Sequence, residues 1–459
     1  MQKAKKNRQV TPAPATIAPD TSKRRMLYLG LGGLSVAAAG ALAYQAELFG
    51  AETPIAVSVK TEAPLTAPFK PLPAVALAPD AANALRAAED IVSHYARELL
   101  TPWALIHAVR GFGKDFALAD GSSAVTHLCA KYAEEKEVNG KRYVAFQRNA
   151  EVHEHSFLKT FLEAGVSPDQ PLRVGPNQYS LHQLGEHAQA LFRCDTANWS
   201  RYEPKYLENH LPWGLIAFSW LRKPEQAVWT NAYGEQLDLH HLYDRALLSY
   251  DTTCATLRAS LNEGTDETLE FRQAITKHSC FGLHAVYGFF ACYRQGYRRN
   301  GMPERIKQLL DVTIQRLASD AKALDREAEA ARGLGPDFVK RMAVSQEGGS
   351  VVTSGSPPAQ IIEAMNLRAQ IQMHGHILEA VNYGLLHKLF TLTPLQQQRV
   401  RAGEQALYGH LVKLRALELD AYRRWHSKFV SDLVISVGHA VRALKLLTPQ
   451  NPDLSKPSA

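Results

Sequence analysis

The chain has 459 residues, 46% hydrophobic and 21% charged, which excludes a disordered or fibrous protein and suffices for a substantial buried core. Its formal charge of +7 sits at one end: residues 1–43 hold seven Lys/Arg against the single acid Asp20, leaving 45 basic and 44 acidic residues elsewhere. A body this close to neutral implies no basic face for nucleic acid, and five cysteines without a CxxC pair argue against a disulfide framework.

In chain order, residues 1–25 read as a basic cytoplasmic n-region, ending in Lys23-Arg24-Arg25. Residues 26–46 are an uncharged run of 21, rich in Gly, Ala and Leu. Two readings stay open for it. One is an export signal of twin-arginine type, cleaved after Ala41-Leu42-Ala43; the other is a retained helix just long enough for a hydrocarbon layer of roughly 30 Å. Either way the upstream charges hold the N-terminus in the cytoplasm. The expected location is therefore exported or inner-membrane-anchored, with the domain on the periplasmic side. Residues 47–80, with Pro54, Pro64, Pro68, Pro71, Pro73 and Pro79, read as an extended tether.

Residues 81–447 form the expected folded domain, and residues 448–459 a disordered tail. Apolar positions recur at i, i+3 and i+4, as in Leu85, Ala88, Ile91, Val92 and Tyr95, and in Leu407, Leu411 and Leu414. This spacing predicts an all-α body of twelve to fifteen helices. Pro102, Pro212, Pro303 and Pro394 fall where helices would start. Short segments repeat: Pro102-Trp103-Ala104-Leu105-Ile106 as Pro212-Trp213-Gly214-Leu215-Ile216, Ser180-Leu181-His182 as Asp238-Leu239-His240, and Leu283-His284-Ala285-Val286 as Leu378-Glu379-Ala380-Val381. Repetition of this kind favours an array of helical hairpins, closed into a ring or open as a solenoid.

Four of these segments, Trp103-Ala104-Leu105-Ile106-His107, Cys280-Phe281-Gly282-Leu283-His284, Gln346-Glu347-Gly348-Gly349-Ser350 and Gly375-His376-Ile377-Leu378-Glu379, resemble in that order the motifs of an uncharacterised bacterial α/α-toroid family. The resemblance implies the toroid fold shared by terpenoid cyclases and protein prenyltransferase β-subunits. Members are sometimes labelled ADP-ribosylation factor-directed GTPase-activating proteins; no motif in this chain supports that label. No DxDD or DDxxD cluster is present, so cyclase chemistry does not come with the fold.

Polar residues on otherwise apolar helices mark the face that lines such a ring's interior. Cys280 and His284 are four apart and expected on one helix face; His376 and Glu379 are three apart, with His374 just before them. With His107 they offer the imidazole, thiolate and carboxylate donors that suit zinc. The expected metal ligands are His107, Cys280, His284 and His376, with Glu379 a candidate base. Glu151-Val152-His153-Glu154-His155 is not HExxH. His153 is nevertheless a second catalytic candidate, since it falls where the resembled family also has a histidine. Trp103, Trp213 and Tyr287 are expected to line the cavity. His240-His241 reads as surface of an outer helix, and residues 346–358 as a glycine- and proline-containing loop that gates the cavity or simply connects helices.

Two functions follow as expectations. The first is a metal-assisted hydrolase or lyase acting on a cell-envelope or polymeric substrate. The second is a non-catalytic binding or scaffold subunit of a membrane-associated complex. An enzyme should converge titratable groups in a closed interior, whereas a scaffold should expose an apolar patch.

Overall fold

The computed structural model describes residues 80–151, 153–193, 210–262, 271, 274–276, 278–334, 360–426 and 428–453. The basic n-region, the 26–46 segment, the proline-rich tether except Asp80, the 346–358 loop and Cys194 lie outside the described residues. No described helix is long and apolar enough to cross a membrane.

Thirteen α-helices occur among the described residues. They are α1 (Ala81–Leu99), α2 (Pro102–Phe112), α3 (Ala124–Tyr132), α4 (Ser156–Glu163), α5 (Leu181–Leu191), α6 (Leu211–Leu221), α7 (Leu239–Asn262), α8 (Leu283–Arg294), α9 (Met302–Leu334), α10 (Ile361–Leu386), α11 (Pro394–Leu414), α12 (Leu419–Trp425) and α13 (Phe429–Lys445). All four prolines singled out above stand in the first two positions of their helices, at α2, α6, α9 and α11. There the missing N–H is one that no intrahelical carbonyl would accept. Thr101 Oγ1 caps α2, and Thr393 with Gln396 forms a reciprocal capping box on α11.

Three short antiparallel hairpins depart from the strand-free expectation: β1 (Ala133–Val138) with β2 (Lys141–Phe146), β3 (Pro171–Val174) with β4 (Asn177–Ser180), and β5 (Val228–Thr230) with β6 (Gln236–Asp238). The first turns on Asn139-Gly140, both at positive φ, the pair best suited to a two-residue hairpin loop. β3 alternates exposed and buried side chains along Pro171–Val174, as a half-buried strand must. A common device emerges. A chain reversal delivers a capping side chain into a helix at Ser123 of α3, Ser180 of α5 and Asp238 of α7, and the Ser180/Asp238 sequence repeat is the visible part of it.

Alternate helices pack on one another in a closed circuit: α2 on α4, α4 on α6, α6 on α8, α8 on α10, α10 on α13, and α13 back on α2. The intervening helices lie against these, α1 on α2 and α13, α5 on α4 and α6, α7 on α6 and α8, α9 on α8 and α10, and α11 on α10. Helices of the circuit are buried nearly all round; α6 is buried without a break from Leu211 to Ser219, and α10 from Met373 to Gly384. Two glycines let α13 lie close against α10 and α2. A Cβ on Gly375 of α10 would stand 2.9 Å from Ala440 N of α13, and one on Gly438 of α13 would stand 2.9 Å from the His107 Cβ of α2. The packed body also runs past residue 447, the end expected from the sequence: Asp453 is buried and meets Arg442 at 3.2 Å.

Candidate metal centre

Where α2, α8, α10 and α13 converge, they bury His107, His284, His376 and His439 together with Glu379, each 0–9% exposed. The His376 and His439 ring centroids are 3.6 Å apart, those of His284 and His376 4.5 Å, and those of His107 and His439 4.8 Å. Metal-ligating atoms of His376, Glu379 and His439 lie within 4.8 Å of one another, as do those of Cys280, His284 and His376.

Hydrogen bonding fixes how two of the rings, His107 and His439, are used. His107 Nδ1 is 2.7 Å from the Trp103 carbonyl oxygen, which can only accept, so that nitrogen carries the proton. His439 Nδ1 lies 2.6 Å from Glu379 Oε2 and 3.2 Å from Arg110 Nη1. The nearer, anionic acceptor decides, and His439 also carries its proton on Nδ1. The two Nε2 atoms then present bare lone pairs to each other at 3.1 Å. Burial, with Arg110 beside it, pushes His107 down to about 3, and burial pushes His376 down to about 3. Burial and the neighbouring His376 hold His284 and His439 well below the usual imidazole range. His376 Nε2 is buried without a hydrogen-bond partner.

A charge cluster supports the histidines. Arg110 Nη2 donates to Glu379 Oε1 and Arg110 Nε to Glu163 Oε2 at 3.0 Å. Arg442 Nε lies 2.9 Å from Glu379 Oε1, its Nη1 donates to the Arg110 carbonyl at 3.1 Å, and its Nη2 reaches Tyr287 Oη and Asp453 Oδ2, both at 3.2 Å. Lys159 Nζ sits 3.2 Å from Glu163 Oε2 and 5.0 Å above the Tyr287 ring. Burial works against the Glu379 charge, yet Arg110, Arg442 and Lys159 together outweigh it and keep the carboxyl below its ordinary value. Burial, then Arg110, lowers Lys159 to about 8. Three cations thus face the three carboxylates Glu163, Glu379 and Asp453 in the core, so each charge has a compensating partner.

The structure therefore brings His107, His284, His376 and Glu379 together and adds His439. Cys280 joins them by a different route from the helical one expected. It precedes α8, in three successive residues at positive φ, Cys280 (φ 48), Phe281 (φ 55) and Gly282 (φ 72). Gly282 takes the left-handed N-cap position of α8, and so the helix cannot extend back to Cys280. The Cys280 thiol accepts from Gln372 Nε2 at 3.5 Å, and burial pushes it up to about 11.

His153 lies beside the centre and is partly exposed. Its ring stacks on Trp213 at 3.8 Å and 13°, and Trp213 lies 4.2 Å from His284. Glu151 in the same cluster caps α4, accepting from Phe157 N at 2.9 Å and His155 N at 3.2 Å. Trp103 contributes its carbonyl to His107, and Tyr287 its hydroxyl to Arg442. His374 faces away, its Nδ1 2.9 Å from the Gln370 carbonyl and its ring 5.2 Å from His410. His240 is buried instead of superficial, against Tyr297 and the Pro224 carbonyl.

His439, Arg110 and Arg442 escaped the sequence reading although a signal existed. His107-Ala108-Val109-Arg110 recurs as His439-Ala440-Val441-Arg442, and Leu283-His284-Ala285-Val286 and Leu378-Glu379-Ala380-Val381 are variants of the same pattern. In each copy the first polar side chain enters the centre from a different helix of the circuit. No protein-family model, curated protein or solved structure matches the chain.

Proposed function

We propose that this chain is an α/α-toroid metalloenzyme of the cell envelope, a metal-assisted hydrolase or lyase with zinc or a similar divalent ion bound among the histidines of the helical circuit. The toroid reading is supported by the alternation of circuit helices with flanking helices. The envelope reading rests on residues 1–46, which lie outside the described residues.

One observation carries the metal. Two buried imidazoles point their Nε2 atoms at each other across 3.1 Å while an acceptor oxygen stands against each Nδ1. Ligand histidines are oriented in this way, by a carbonyl or carboxylate on the far nitrogen. Without a cation, the facing lone pairs repel in a medium of low dielectric. A bound ion would polarise a substrate carbonyl or lower the pKa of a bound water to about 7. The partly exposed His153 and Cys280 mark the side from which substrate would come. The scaffold reading calls for an outer apolar patch; the exposed large hydrophobics among the described residues are Val228, Tyr233 and Leu447.

The test is elemental analysis of the full chain, prepared without a histidine tag or chelator, beside His107→Ala and His439→Ala. The reading predicts about one zinc or iron per chain, lost in both variants while their circular dichroism stays native. A folded wild-type chain that stays metal-free after exposure to zinc and iron refutes it.

A further inference from the structure

The metal-centre reading leaves open what the centre takes from solution, and the following inference rests on that reading. We propose that the partly exposed side of the centre, where Cys280, Gln372 and His153 stand, is an anion site: with a divalent ion in place it takes a small carboxylate or other oxyanion, and the part of the substrate that enters is anionic.

Charge balance calls for an anion. The buried cations Arg110, Lys159 and Arg442 are matched by the buried carboxylates Glu163, Glu379 and Asp453. Each carboxylate is already engaged: Glu163 with Arg110 at 3.0 Å and Lys159 at 3.2 Å, Glu379 with Arg442 at 2.9 Å and His439 Nδ1 at 2.6 Å, and Asp453 with Arg442 at 3.2 Å. Neutral imidazoles add no charge, so a divalent ion brings two positive charges that no carboxylate of this cluster is left to offset. Unbalanced charge is costly away from water, and an anion drawn from solution is the most direct compensation. Ionising the Cys280 thiol would offset only one of the two charges, and burial opposes it, against the Gln372 hydrogen bond and the Arg368 charge.

The local backbone favours the same side. His284 is the second residue of α8 and Trp213 the third of α6, and their rings are 4.2 Å apart, so the N-termini of the two helices meet beside the centre. Neither N-cap residue, His210 of α6 or Gly282 of α8, supplies a side-chain capping hydrogen bond. The partial positive charge of both helix ends therefore falls where His153 stacks on Trp213. Cys280, His284 and His376 bring their ligating atoms within 4.8 Å of one another on this side, and His376 Nε2 is buried there without a partner. Gln372 and Arg368 precede His376 at four-residue intervals and so share its face of α10. Gln372 Nε2 donates to the Cys280 sulfur at 3.5 Å, which places a neutral hydrogen-bond donor, rather than an acid, beside the ligand position.

Absorption spectra of the Co(II)-loaded full chain test the inference, with acetate and azide compared against acetamide, the neutral counterpart of acetate, at constant ionic strength. Acetate and azide should shift the Co(II) d–d bands and, by linkage, tighten Co(II) binding about 10-fold or more at saturation, whereas acetamide should do neither. Gln372→Glu puts a carboxylate on this side at a partly exposed position. It should bind Co(II) at least as tightly as the wild type while its Kd for acetate rises about 10-fold or more. A purely structural role for Gln372 would not move the two affinities in opposite directions. A spectrum indifferent to acetate and azide, acetamide acting as strongly as acetate, or a folded Gln372→Glu that answers acetate like the wild type overturns the anion site while the metal reading survives. Failure of the wild-type chain to bind Co(II) or Zn(II) removes the metal reading itself, and the anion site falls with it.

Discussion

Replacing Gly375 with alanine tests how tightly the circuit sets the centre's geometry. In the interior of a helix such as α10, alanine is ordinarily worth about 1 kcal/mol over glycine. At this position the new Cβ would stand 2.9 Å from Ala440 N, 3.2 Å from Ala440 Cα and 3.3 Å from His439 C. All three neighbours are backbone, so α10 and α13 would have to separate by half an ångström or more to reach ordinary contact, and overpacking of this kind costs about 1–3 kcal/mol. Offset against the propensity gain, the strain should leave a net loss of up to about 2 kcal/mol in urea unfolding. Because the displaced atoms belong to His439 and its neighbour, zinc affinity should fall as well. Gly409, in α11, is the internal control: a Cβ there meets nothing within 4 Å, and Gly409→Ala should stabilise by about 0.5–1 kcal/mol. If Gly375→Ala stabilises as much as Gly409→Ala, the close-packed circuit is wrong.

Two further perturbations probe parts of the core outside the centre. Burial, then His374, then Lys413, pushes His410 down to about 3. The unfolded chain therefore binds a proton there below about pH 6.5 that the folded chain refuses, so this contribution is complete above pH 6.5 and is lost as pH falls toward 3, at up to about 1.4 kcal/mol per unit. His410→Gln should flatten the wild-type decline in unfolding free energy between pH 6.5 and 4, and parallel curves would refute the assignment. Arg316 is fully buried, paired with Asp320 Oδ2 at 2.7 Å and bonded to Tyr250 Oη at 3.0 Å. Arg316→Met alone should cost about 3–5 kcal/mol by stranding the Asp320 charge, and adding Asp320→Leu should recover most of it. Equal losses in the single and double variants would show that the pair is not the source.

Much of this molecule was legible in its sequence because its helices obey simple rules. Prolines at 102, 212, 303 and 394 stand at helix starts because only the first turn tolerates a missing N–H. His107, His284, His376 and Glu379 could be singled out because each interrupts an apolar helix, and the structure gathers all four. Arg110 and Arg442 were passed over because a single charge on a helix ordinarily marks its solvent face; that each neutralises a carboxylate from another helix is a tertiary fact. His439 was hidden more thinly, since the repeated His-Ala-Val-Arg was there to be read. Cys280 was misplaced because i, i+4 spacing presumes helix, and three residues at positive φ break it. The hairpins were missed where strands are three to six residues long, too short for periodicity, although Asn139-Gly140 announced the first.

The most direct test of the metal centre is anomalous X-ray diffraction from crystals of zinc-loaded protein, measured on both sides of the zinc absorption edge. The account predicts one strong peak among the rings of His107, His284, His376 and His439, about 2.0–2.1 Å from the nitrogens that hold it. A map without a peak there, with the two facing nitrogens still in contact and bridged by a proton, would contradict it.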